Sequence, residues 1–169
     1  MKMTFRMVSA FQIVILFGLL GVHAQTSDLH GLKGVGVNVE SIDNEDAQLQ
    51  GVTKDGLLRA IDSTLILSGV RVFTQEECWA SPGSPYLSLH VDVLPVSDVN
   101  NARLGYTYDI QLQLKENVKL IRSPEKTVEV ITWEEPRLGF VGRDGLGHLK
   151  DVVMELLGTF VSLYSTSNR

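Results

Sequence analysis

Residues 86–96 read "YLSLHVDVLPV", an alternation of apolar and polar side chains. Successive side chains of a strand point to opposite faces, so Leu87, Leu89, Val91 and Val93 share one face and Ser88, His90 and Asp92 the other. One apolar and one polar face is the signature of an antiparallel sheet packed on one side and wet on the other. Pro95 ends this strand or marks an edge. Residues 106–121, "YTYDIQLQLKENVKLI", repeat the pattern. Tyr106, Tyr108, Ile110, Leu112 and Leu114 fall inward; Thr107, Asp109, Gln111, Gln113 and Lys115 fall outward. The parity continues through Val118 and Leu120 with Glu116 out of place, which predicts a bend or bulge there.

Three further strands are expected: "GVGVNV" with Val35, Val37 and Val39 on one face, a short "VRVFT" at 70–74, and "TVEVITWEE" at 127–135. Thr53 can cap a helix whose Leu57, Leu58, Ile61 and Leu65 recur at helical spacing, with Gly69 in the left-handed position after it. A last helix carries Leu146, Leu149, Val153, Leu156, Leu157, Phe160 and Tyr164 as one stripe. The segments "DNEDAQLQG", "CWASPGSP" and "PRLGFVGRDGLG" read as loops. The expected fold is α+β: a single mostly antiparallel sheet of about five strands, in the order β-α-β-β-β-β-α, with two helices packed on one face. The other face, bearing His90 and Gln111, stays wet or meets a partner.

Residues 1–24 read as a signal peptide. Lys2 and Arg6 precede an apolar run from Val8 to Val22, and Val22-His23-Ala24 offers a cleavage site before Gln25. The run is short for a membrane span, which takes roughly 20 residues; an uncleaved anchor helix is the alternative. The expected product is a single domain, 25–169, exported to the periplasm or secreted. No later segment resembles a membrane span, and residues 21–25 hold no cysteine to lipidate.

The chain carries a formal charge of −5. Loss of residues 1–24 removes two bases and no acid, taking it to −7. Such a chain repels phosphate backbones, which disfavours nucleic acid as a partner. The single cysteine, Cys78, rules out an internal disulfide. It is either a reactive thiol or partner in an intermolecular disulfide, or a small residue tucked beside Trp79, and the neighbouring Glu76 and Glu77 would raise its pKa and blunt it.

The glycines of "LGFVGRDGLGHLK", residues 138–150, precede a helix as a phosphate loop would. The lysine–hydroxyl pair of such a loop is missing, and Asp144 stands where the anion would sit, so Asp144 reads as a helix cap. Ser88, His90 and Asp92 have the residue types of a hydrolase triad. Neighbours two apart on a strand stand about 7 Å apart, against the ~3 Å a nucleophile–base bond needs. The histidines lack metal-ligand spacing. Asp43, Glu45 and Asp46 lack the rest of a calcium loop. Glu134 and Glu135 face opposite ways. No catalytic residue, cofactor or metal is expected. Trp79, Trp133, Tyr106 and Tyr108 line a ligand groove or belong to core and sheet edge.

The segments "LKGVGVNVE", "GLLRAIDSTLILSGVRVF", "TYDIQLQLKENVKL", "ITWEE" and "LKDVVMELLGTFVSLY" resemble those of a loose group of bacterial exported proteins of uncharacterised role. The strand-helix-"SG"-strand opening is similar to the amino-terminal domain of TolB-type periplasmic proteins. The run of strands with a terminal helix is similar to the lipopolysaccharide-assembly lipoproteins. The resemblance implies an envelope binding or assembly role and carries over no functional residue. The expectation is a non-enzymatic exported domain that binds a protein or envelope partner through Trp79, Trp133, His90 or Gln111. The rival is a small-ligand binder with its pocket between the sheet and the Trp133 loop.

Overall fold

The computed structural model describes residues 29–169 apart from 41 and 43; the expected signal peptide and Asp43 lie outside these. Strand β1 (Gly36–Val39) leads to a short helix α1 (Glu45–Leu49) and to α2 (Lys54–Leu67). Helix α3 (Gln75–Ala80) precedes three long strands, β2 (Tyr86–Ser97), β3 (Arg103–Leu120) and β4 (Ser123–Gly142). A 3-10 turn, Leu146–His148, opens α4 (Leu149–Ser167).

The sheet has four strands in the order β1-β2-β3-β4. β1 runs parallel to β2, and the other two pairings are antiparallel. The expected α+β class stands, with one strand fewer. Residues 70–74 do not form the fifth strand. They contribute one parallel bridge, Val35 to Val72, because Thr74 at once caps α3 with a reciprocal Glu77 bond that turns the chain helical. The same cap makes residues 75–80 a helix where the glycine- and proline-rich loop was expected to begin. Asn44 does the same for the acidic segment: its side chain accepts the Ala47 N–H at 2.9 Å and starts α1.

The largest departure concerns residues 136–142, expected as loop. They continue β4, which pairs with β3 all the way to Gly105↔Gly142. Gly139 and Gly142 are strand positions rather than turns, and Gly139, like Gly105 of β3, lies under an aromatic ring. A Cβ on Gly139 would lie 2.4 Å from Tyr108 Cζ, and one on Gly105 would lie 2.6 Å from Phe140 Cζ. Each ring lies across the glycine and covers backbone that a side chain would otherwise shield.

The bulge expected near Glu116 of β3 lies instead on the partner strand. The register slips between Leu114↔Trp133 and Lys115↔Ile131, so Thr132 of β4 is the extra residue. Beyond it the β3–β4 hairpin carries no buried residue until Trp133, and Val118 is exposed, so the inward parity stops at Leu114. Pro95 is tolerated because β1 pairs only with Tyr86–Leu89, which leaves the rest of β2 as an edge.

Thr53 caps α2 through the Gly56 N–H, and Gly69 follows it at φ 77°. Leu57, Ile61 and Leu65 of α2 join Val153, Leu156, Leu157 and Phe160 of α4 over Leu87, Leu89, Ile110, Leu112 and Leu114 of the sheet. Both long helices therefore cover one sheet face. Asp144 caps nothing. The start of the 3-10 turn is held from afar by Gln50, whose amide accepts the Leu146 N–H at 2.9 Å and donates to the Arg143 carbonyl at 3.0 Å.

Candidate functional site

The face of β2, β3 and β4 turned away from α2 and α4 carries two neighbouring polar clusters and an apolar corner. Parallel pairing carries β1 past Val39↔Leu89, and the Glu40 N–H donates to the Leu89 carbonyl at 2.9 Å. This sets the Glu40 carboxylate beside His90. His90 Nδ1 lies 2.7 Å from Glu40 Oε2, and its Nε2 lies 2.9 Å from Asp92 Oδ2. Ser88, buried beneath, donates to Glu40 Oε1 at 3.3 Å, and Lys115 Nζ stands 3.9 Å from the same oxygen.

The two carboxylates raise the His90 pKa, the hydrogen bond to Asp92 first and that to Glu40 next. The bond to His90 in turn holds the Glu40 carboxyl below its ordinary range. Hydrogen bonds to a charged form favour that form. Gln111, opposite His90 on β3, donates to Asp109 Oδ2 at 3.1 Å. Gln113 donates to Gln111 Oε1 at 3.2 Å and to Glu134 Oε1 at 2.8 Å. His90 and Gln111 thus stand opposite each other in two adjacent polar clusters.

The triad residues behave differently from a simple spacing argument. His90 and Asp92 do meet, since their side chains lean together where their backbones stand apart. Ser88 turns to Glu40 instead, and both ring nitrogens of His90 are engaged by carboxylates. A serine nucleophile needs a free imidazole nitrogen within reach, and this constellation offers none.

At the far end of the same face Leu94, Leu138 and Phe140 stand 65%, 78% and 55% exposed. Thr107 lies between Leu94 and Phe140 in the register, which places them in one row. Leu138 and Phe140 fall in the segment expected as loop, so their strand periodicity went unread.

The two tryptophans are not brought together. Trp133 is buried on the helix face and packs against Phe160, centroids 5.3 Å apart. Trp79 is 69% exposed on α3, at the rim of a hollow of about 520 Å³. Tyr106 is core at the ring, while its hydroxyl donates to Asp46 Oδ2 at 2.7 Å and accepts from Arg103 Nη1 at 2.9 Å. Cys78 is buried, with Sγ 3.3 Å from the Pro85 carbonyl, and its pKa is raised by burial. Its acidic neighbours are not the cause: Glu77 is engaged by the Thr74 backbone and by Arg71. No His, Cys, Asp and Glu grouping among the described residues is arranged to hold a metal ion, and none of their helices is long and apolar enough to cross a membrane.

No protein-family model matches the chain, and no curated protein matches it. Among solved structures, the rare lipoprotein B of Shewanella oneidensis is similar at 14% identity, over 74% of this chain and 95% of that one, with a TM-score of 0.29. That protein is a lipoprotein by name, and a likeness at this score carries no residue role across.

Proposed function

We propose that this chain is a non-enzymatic exported binding protein whose protein or cell-envelope partner docks on the sheet face turned away from α2 and α4 and along the outer edge of β4. The observation that carries the reading is the position of β4. It is twenty residues long, lies last in the sheet and, among the described residues, pairs on one side only, with β3. An unpaired edge offers main-chain donors and acceptors to an incoming strand. Pro136 and the charges of Glu134, Glu135 and Arg137 guard the middle of this edge. The stretch beyond them bears Leu138 and Phe140, whose exposed side chains would seat the partner. Both long helices lie on the opposite face, and this, with the pairing of the polar groups within their clusters, supports a recognition surface rather than a reacting one.

The test is site-specific photocrosslinking in cells. A benzophenone side chain at position 138 or 140 should give one discrete adduct, while the same group at exposed Ile66 on α2 should give none. Adducts of equal pattern at all three positions would remove the β4 edge from the proposal.

A further inference from the structure

The opposite end of the sheet carries a second feature, away from Leu138 and Phe140. We infer that the hollow between β1, α3 and the β3–β4 hairpin is a binding site for a neutral sugar ring, stacked on Trp79 and hydrogen-bonded to Glu129 and the surrounding amides.

The hollow measures about 520 Å³, the size of a site for a small ligand. Trp79 stands at its rim, and Tyr86 and Glu129 form its wall. The Tyr86 hydroxyl donates to Glu129 Oε2 at 2.5 Å. The side-chain amides of Asn38, Gln75 and Asn117 also line it and make no hydrogen bond among the described residues. No lysine or arginine lines the hollow, and Glu129 forms no ion pair among the described residues.

Each class of group selects against a different ligand. A carboxylate without a cation repels phosphates and carboxylates. Three amides, each with donors and an acceptor, suit a ring of hydroxyls that donate and accept. An indole lying open at the rim offers a flat apolar plane for the C–H face of a pyranose, with its N–H as a polar handle.

The platform is also rigid. The Thr74–Glu77 capping box and the Arg71–Glu77 ion pair hold the start of α3. Cys78, one residue before Trp79, is pinned between Gly36 and Pro85: a Cβ on Gly36 would lie 3.1 Å from its sulfur. A residue so held meets a ligand with little ordering cost.

The chain's two tryptophans make the test direct, since Trp79 is exposed and Trp133 is core. The whole protein is titrated with maltotriose, cellotriose and chitotriose, each at concentrations up to the millimolar range, with tryptophan emission and acrylamide quenching as readouts. At least one sugar should give a saturable blue shift and protection from quenching. Trp79→Ala should abolish the signal, and Glu129→Gln should weaken affinity by about tenfold, the loss of one hydrogen bond to a charged acceptor. Both sites are exposed, and circular dichroism confirms the fold of each variant. Silence with all three sugars, a response to choline instead, or an unchanged response in Trp79→Ala would each overturn the assignment.

Discussion

His90 and Glu40 are fifty residues apart in sequence, yet the imidazole Nδ1 and the carboxylate Oε2 meet at 2.7 Å because β1 lies parallel against β2. The contact ties the end of the first strand to the sheet face and makes stability pH-dependent. His90 is raised above its ordinary value of 6.5, so its contribution is complete below that pH and fades as pH rises through the folded pKa. Glu40 is lowered from 4.5, so its contribution is present above that value and fades as pH falls. The pair therefore stabilises most between these two values. Urea midpoints of wild type and His90→Gln should differ most near pH 5.5 and converge toward pH 9; a constant difference would exclude the linkage.

Asp62 acts in the opposite sense. Its Oδ1 is buried without a hydrogen-bond partner among the described residues, and burial raises its pKa. The charged form is thus disfavoured in the folded state, and stability falls as pH rises through the carboxylate range. Asp62→Asn should raise the melting temperature at pH 7 and leave it nearly unchanged at pH 3. Thermal melts at the two pH values decide this.

Gln50 joins α1 to the turn before α4 with both ends of one amide. Gln50→Ala removes two hydrogen bonds and should cost about 1–3 kcal/mol. Gln50→Glu keeps the acceptor for the Leu146 N–H and loses the donor to Arg143, so its melting temperature should fall between those of wild type and Gln50→Ala.

Leu112 and Gln111 are adjacent and face opposite ways. Leu112 is fully buried, while Gln111 is partly exposed. Leu112→Asp would bury an unpaired carboxylate and should abolish cooperative unfolding at 25 °C, whereas Gln111→Glu should remain folded. Circular dichroism melts of the two variants check the face assignment.

Cys78 should be inert in the native state. Its buried, high-pKa thiol should react with a disulfide reagent only after denaturant is added, since the thiolate is the nucleophile. A native reaction as fast as that of a free thiol would contradict the burial.

Much of the fold was legible in the chain. The alternation in 86–96 and 106–114 assigned the buried face residue by residue, and the leucine spacing after Thr53 placed α2 and its inner stripe. These signals are local: the period of a strand or helix is written in consecutive side chains. Residues 136–142 misled because glycine and proline usually mark turns. Here Pro136 sits on an edge strand, and Tyr108 and Phe140 lie over Gly139 and Gly105. That arrangement exists only once β3 and β4 pair.

The site was less legible for the same reason. The sequence was enough to put His90, Asp92 and Gln111 on one polar face and to count a single thiol. Which groups they meet was decided in three dimensions. Glu40 reaches His90 through parallel pairing, Gln50 reaches Leu146 across 96 residues, and Tyr86 finds Glu129 across the sheet. Trp79 and Trp133, alike as sequence signals, part company: one is held out by α3 and the other is enclosed beneath α4. Side-chain period depends on neighbours along the chain, whereas burial and hydrogen-bond partnership depend on neighbours in space.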